Sequence, residues 1–147
     1  EIGVRLVGSE MCIRDSYSPI NLRSYNLDET VKNQLEILGT LDNVTRKHSE
    51  NVANLVCRIC EYLHCKKDFT AYCTICAYLH DIGKLMIPSS ILQKPAKLTD
   101  EEYEIMKKHT IYGYEICMKD KNLKPYSAGA LYHHEALNGS RIPLSVF

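Results

Sequence analysis

Six histidines stand at positions 48, 64, 80, 109, 133 and 134 of this 147-residue chain. A lone histidine is an ordinary surface or core residue, but five of these share a pattern. His48 lies inside a long helical stretch. His80 is followed at once by Asp81, at the end of an apolar segment. His109 closes a capped segment, and His133-His134 close another. A His-Asp pair at the end of an apolar helix is costly to bury unless something binds there. Imidazole suits transition metals, and a carboxylate can serve two of them. Two ions a few ångströms apart can hold a phosphate and a water-derived nucleophile for in-line attack.

The elements that must position these groups are helices. Leu27, Val31, Leu35 and Leu38 fall on one face of a leading helix over residues 26–38, which Gly39 can end. Asp42 or Asn43 can cap a helix running to about Leu63, with Val44, Val52, Leu55, Val56, Ile59 and Leu63 at helical spacing. Residues 69–79 are almost wholly apolar, which predicts a central, buried helix. Gly83 breaks the pattern, Ile87-Pro88 turns the chain, and residues 93–98 form a Lys/Pro loop. Thr99-Asp100-Glu101-Glu102 is a capping box in front of a helix over 103–109. Helices around 111–118 and 127–134 follow, separated by a loop through Pro125. No stretch alternates with period two for long enough to be a strand, so the expected fold is all-α.

These motifs, in this order, resemble the HD superfamily of metal-dependent phosphohydrolases, and within it the HD-GYP subfamily. The resemblance runs from about Leu41 to Pro143. It rests on His48-Ser49-Glu50-Asn51-Val52-Ala53, on Leu79-His80-Asp81-Ile82-Gly83-Lys84, and on Ile87-Pro88. It rests further on Leu92-Gln93-Lys94-Pro95, on 97–102, on Met106-Lys107-Lys108-His109 and on His133-His134-Glu135. The resemblance implies an HD-domain helical bundle with a binuclear centre. His48, His80 and Asp81 would bind one ion. Asp81, His109, His133 and His134 would serve the second, with Asp81 bridging. Lys84 would stand beside the scissile phosphate and stabilise its developing charge. Asp81 and Lys84 are thus the catalytic candidates, and Lys84 and Gly139 the substrate-binding ones. The family nucleophile is a hydroxide held between the ions, and the reaction is hydrolysis of cyclic di-GMP to linear pGpG, in some members onward to GMP. Some members hold a third ion with a glutamate one turn before the first histidine. Val44 occupies that place here, so two divalent ions, iron or manganese, are expected.

The subfamily signature is altered. Where Gly-Tyr-Pro is typical, this chain has Arg141-Ile142-Pro143. One inserted base near Ser140 would turn the first reading into the second and put 144–147 out of frame. A true sequence variant is the alternative. No carboxylate follows Glu135, so the family's last aspartate ligand has no counterpart, and weak or absent turnover is expected of the chain as written. It is therefore read as truncated at its C-terminus. The first sixteen residues have no helical or strand period, and 6–16 resembles a translated sequencing-library adapter. The expected organisation is a non-native scar over 1–16, a linker and leading helix over 17–40, and a partial catalytic domain over 41–147.

Composition bounds the remaining classes. With 18 basic and 18 acidic residues the formal charge is zero, which argues against binding of a nucleic-acid polymer. No run approaches the ~18 apolar residues of a membrane span, and no secretory signal is evident, so a cytoplasmic protein is expected. Cys57-x-x-Cys60 and Cys73-x-x-Cys76 have the look of zinc knuckles but lie inside apolar helices. Zinc sites favour turns, so core packing is the preferred reading. The expected partners are a cyclic dinucleotide and an upstream receiver or sensor domain, with a homodimer left open. The rival readings are another HD-domain nucleotide phosphohydrolase and a non-catalytic signalling module with a degenerate site.

Overall fold

The structure, a computed structural model, describes residues 43–136. The expected scar, linker and leading helix and the altered 138–143 signature with Gly139 lie outside the described residues. Among those described, every regular element is helical and none is a strand, as the spacing predicts. No helix among them is long and apolar enough to cross a membrane.

The first helix, α1 (Asn43–Tyr62), and α2 (Lys67–Leu79) form an αα-hairpin around a short turn. The turn is a Schellman motif. The N–H of Cys65 donates to the Cys60 carbonyl at 2.9 Å and the N–H of His64 donates to that of Glu61 at 3.0 Å. His64 takes the left-handed conformation (φ 52°) that the motif requires. A side chain there costs about 1 kcal/mol relative to glycine.

The face that α1 buries differs from the expected one. Thr45, Ser49, Ala53, Cys57 and Cys60 are buried, whereas Leu55 and Leu63 are 59% and 63% exposed and Val44 and Ile59 are exposed too. Only Val52 and Val56 of the expected stripe pack against the core. Small residues let α2 approach closely, while the larger apolar side chains fall on the neighbouring stripe of the helix. The second correction concerns α2, which is buried over its C-terminal half but exposes Phe69 and Tyr72 near its start. Its interior hydroxyls are satisfied locally: Thr74 donates to the Thr70 carbonyl at 2.7 Å and Thr70 to that of Lys66 at 3.2 Å.

After α2 the chain tightens into a 3₁₀ turn, Ile82–Met86, then a one-turn helix α3 (Ser89–Leu92) that the sequence pattern did not suggest. The capping box opens α4 (Asp100–Lys107) as expected: the Glu102 N–H donates to Thr99 Oγ1 at 3.2 Å, and the Thr99 N–H to Glu102 Oε2 at 2.8 Å. Lys94 of the Lys/Pro loop reaches the same carboxylate at 2.5 Å. His109 does not end this helix, as the sequence suggested; it begins the next, α5 (His109–Lys119). Lys108 caps both, at φ −66° and ψ −11°. The backbone therefore stays in the helical region through the junction, which is why spacing alone misplaced the break. A 3₁₀ turn (Lys124–Tyr126) and α6 (Ser127–Tyr132) complete the described part, with His133 and His134 just past the end of α6. The core gathers Ala53, Ile75, Leu79, Ile82, Cys117, Leu123 and Ala130 from α1, α2, the first 3₁₀ turn, α5, the loop after it, and α6.

Gly83 sets the spacing of the site. A Cβ there would lie 1.9 Å from the His109 carbonyl oxygen and 2.4 Å from the Gly113 nitrogen. The 3₁₀ turn thus rests backbone-to-backbone on the first turn of α5, which brings Asp81 against His109. The requirement is close approach rather than a special φ.

Candidate metal centre

Five histidines and one aspartate converge from four segments. His48 comes from α1, His80 and Asp81 from the α2–3₁₀ junction, His109 from the start of α5, and His133 and His134 from the end of α6. Their ligand-capable atoms fall into two groups. His48, His80 and Asp81 form one, and His109, His133 and His134 the other, with the atoms of each group within 4.8 Å of one another. Among the described residues these are the only groups of this kind, and neither contains a cysteine. The sixth histidine, His64, is at the far end of α1.

Asp81 lies between the groups, 2% exposed. Its Oδ2 is 3.1 Å from His80 Nε2 and 3.9 Å from His48 Nε2. Its Oδ1 is 3.4 Å from His109 Nε2 and 3.7 Å from His133 Nε2. One carboxylate oxygen therefore faces each group. Lys84 Nζ donates to Oδ2 at 2.7 Å.

Three of the rings are held the same way. His80 Nδ1 is 2.6 Å from the Ala77 carbonyl, His109 Nδ1 2.7 Å from that of Met106, and His133 Nδ1 2.9 Å from that of Ala130. A carbonyl only accepts, so each Nδ1 must carry the proton that it donates. In the neutral ring Nε2 then presents its lone pair to the centre. Such a backbone partner is the usual orienting contact of a metal-bound histidine.

Electrostatics keep two of these rings, His109 and His133, neutral. Burial, with the neighbouring histidines, pushes His133 down to about 4. Burial also lowers His109, against the opposing pull of the Met106 carbonyl and Asp81. Burial alone would raise Asp81, but hydrogen bonds and charge from His80 and Lys84 outweigh it and hold the carboxyl well below its usual range. The result is a buried anion whose Oδ1 faces the unprotonated Nε2 atoms of His109 and His133. Lone pairs that face one another need a cation, and the donor set of neutral imidazole plus carboxylate fits a divalent transition metal.

His48 is more open, its side chain 54% exposed, so the first group has a solvent-facing side. Val44, one turn earlier, is exposed and offers no ligand atom. All of the expected metal ligands are thus brought together; Gly139 falls outside the described residues. Sequence reading missed the three carbonyls that orient the rings. They lie three residues before their histidines, and backbone atoms leave no trace in residue type.

The helical scaffold and this cluster define an HD domain, and the chain matches that family over residues 31–146. It belongs to the HD domain family. Among curated proteins it is similar to a cyclic di-GMP phosphodiesterase of Thermotoga maritima, at 43% identity over 74% of this chain and 31% of that protein. It is similar to the cyclic di-GMP phosphodiesterase response regulator RpfG of Xanthomonas campestris, at 32% over 78% of the chain and 31% of the relative. A 3'3'-cGAMP-specific phosphodiesterase 2 of Vibrio cholerae is 46% identical over a shorter stretch, 44% of the chain and 13% of the relative. The chain spans about a third of the length of the first two relatives.

Proposed function

We propose that this chain is the metal-binding part of a cytoplasmic phosphodiesterase that hydrolyses cyclic di-GMP to linear pGpG. The observation that carries the reading is the division of Asp81, with one oxygen toward His48 and His80 and the other toward His109 and His133. A bridging carboxylate between two histidine groups is the donor arrangement a two-ion phosphoesterase needs. The motifs of the HD-GYP resemblance and the relatives named for cyclic di-GMP support the substrate class.

In this reading His48, His80 and Asp81 hold one divalent ion, and Asp81, His109, His133 and His134 the other, iron or manganese. When bound, such ions neutralise phosphate charge and make a water nucleophilic near neutral pH. The chain's own residues do the rest. The carbonyls of Ala77, Met106 and Ala130 fix three rings with Nε2 inward. Lys84, held by Asp81 at the edge of the centre, offers an ammonium to the developing charge on the scissile phosphate. The open side at His48 admits the substrate. Gly139 contributes to the substrate side of the site. An upstream receiver or sensor domain in the longer protein supplies the input.

The test is metal content by mass spectrometry with cyclic di-GMP turnover by chromatography. Two ions per chain are expected, both lost in Asp81→Asn and both retained in Lys84→Ala. Turnover to pGpG is expected in the uninterrupted gene product and weak in the 147-residue chain. Lys84→Ala in the uninterrupted product should cost about 10²-fold or more in kcat. Purified protein that binds no metal would overturn the proposal in favour of a non-catalytic module. Metal-dependent hydrolysis of mononucleotides without cyclic di-GMP turnover would favour another HD phosphohydrolase.

A further inference from the structure

Away from the metal centre, a second group of reactive side chains gathers where α1 turns into α2. The Cys60 thiol has those of Cys65 and Cys73 as neighbours. Cys60 is buried, while Cys65 and Cys73 are partly exposed, and all three are free thiols. The backbone explains the first contact. In a Schellman motif the third residue from the helix end meets the second residue beyond it, normally as an apolar pair. Here those two positions are Cys60 and Cys65, joined by the 2.9 Å main-chain hydrogen bond. A disulfide needs Cα atoms about 4.4–6.8 Å apart with convergent Cβ atoms, and the direct main-chain bond between the two residues supplies that proximity. The third thiol approaches from α2.

We infer that Cys60 and Cys65 form a reversible redox pair, a site that a hydroperoxide or a small-molecule disulfide converts to an intramolecular disulfide. The partly exposed Cys65 reacts first. With hydrogen peroxide, its thiolate attacks one oxygen, the O–O bond breaks, and Cys65 becomes a sulfenic acid with release of water. The Cys60 sulfur then attacks the Cys65 sulfur, the S–O bond breaks, and the hydroxide leaves with the Cys60 proton as a second water. Two thiols and one peroxide thus give one disulfide and two waters. With glutathione disulfide the same pair is reached by two exchanges, releasing two glutathione thiols. The order follows from the surroundings. Burial first, then the neighbouring sulfurs of Cys73 and Cys65, pushes Cys60 up to about 11, so it is a poor initial nucleophile. The proximity fixed by the turn supplies the effective concentration for the second step. Neither step involves the histidine cluster.

Tryptic mapping of the full chain reads the outcome directly. Arg58 and Lys66 flank the pair, so both cysteines leave on one peptide, 59–66. After mild peroxide or glutathione disulfide and alkylation of remaining thiols, that peptide is expected two hydrogens lighter and unalkylated, and dithiothreitol should restore it. In Cys65→Ser, oxidation of Cys60 should fall at least tenfold. In Cys60→Ser, Cys65 should persist as a sulfenic acid or glutathione adduct. Cys73→Ser should leave the link intact. Cys60 alkylated to the same extent before and after oxidation would overturn the inference. So would a cross-link joining peptide 59–66 to the peptide carrying Cys73.

Discussion

His109 Nε2 and His133 Nε2 face each other at 3.2 Å while each ring gives its Nδ1–H to a carbonyl three residues back. With both Nδ1 positions protonated, a hydrogen bond between the Nε2 atoms needs a charged ring, and burial opposes that charge. The strain is relieved by a cation. Metal binding is therefore expected to stabilise the fold, by about 2.7 kcal/mol when the free ion is a hundredfold above its Kd. Chelation should lower Tm accordingly. His133→Ala should weaken metal affinity at least about tenfold while leaving the metal-free protein no less stable. Calorimetry with and without added manganese checks both arms. A metal-free variant that melts well below the metal-free parent would contradict the argument.

Gly83→Ala is the severest small substitution expected in the described residues. Its new methyl would meet the His109 carbonyl, a backbone atom that cannot swing aside. The cost should reach about 3 kcal/mol or more, with metal binding lost because Asp81 and His109 move apart. Gly129→Ala is the comparison: its Cβ would meet the Cys76 Cβ at 2.7 Å and the Cys76 Cα at 3.0 Å, a less severe overlap away from the candidate centre, expected to cost about 1–3 kcal/mol. Equal losses in urea denaturation would show that the Gly83 contact is not special.

Acid should destabilise the metal-free protein in two stages. His133 has a folded-state value of about 4 against an ordinary 6.5, so the unfolded chain takes up its proton first. Stability then declines as pH falls from about 6.5 to about 4, and His109, lowered in the same direction, adds to the decline. Asp81 is lowered below its ordinary 3.8, so its contribution is present above that value and is lost as pH falls further. Denaturation midpoints measured between pH 7 and 4 should fall steadily. A midpoint that rises on acidification would refute the assignment of neutral, inward-facing rings.

His64→Gly should stabilise the protein by about 0.5–1 kcal/mol, since the left-handed residue of the α1–α2 turn then carries no Cβ. A drop in Tm would mean that the imidazole contributes contacts worth more than the strain.

The candidate metal centre is legible in the sequence because its parts are residue types. Histidines at helix ends and one adjacent His-Asp pair announce themselves, and the capping box at Thr99 fixes where α4 starts. The orientation of α1 was not legible in the same way. Val44, Leu55, Ile59 and Leu63 look like a core stripe, yet the buried face is Thr45, Ser49, Ala53, Cys57 and Cys60. Hydrophobic counting favours large side chains, whereas a tight helix pair selects small ones. The junction at His109 was misplaced for a related reason. Lys108 stays helical while the axis changes, and no glycine or proline marks the break.

α4 has no buried residue and is tied down by its capping box and by Lys94 on Glu102. It nevertheless leads directly into His109, a fully committed member of the buried cluster. Segments held by surface hydrogen bonds open locally at little free-energy cost. The amides of α4 should exchange with deuterated solvent long before those of α2 or α5. One candidate ligand of the proposed centre is thus mounted at the border between a surface-held helix and the rigid interior.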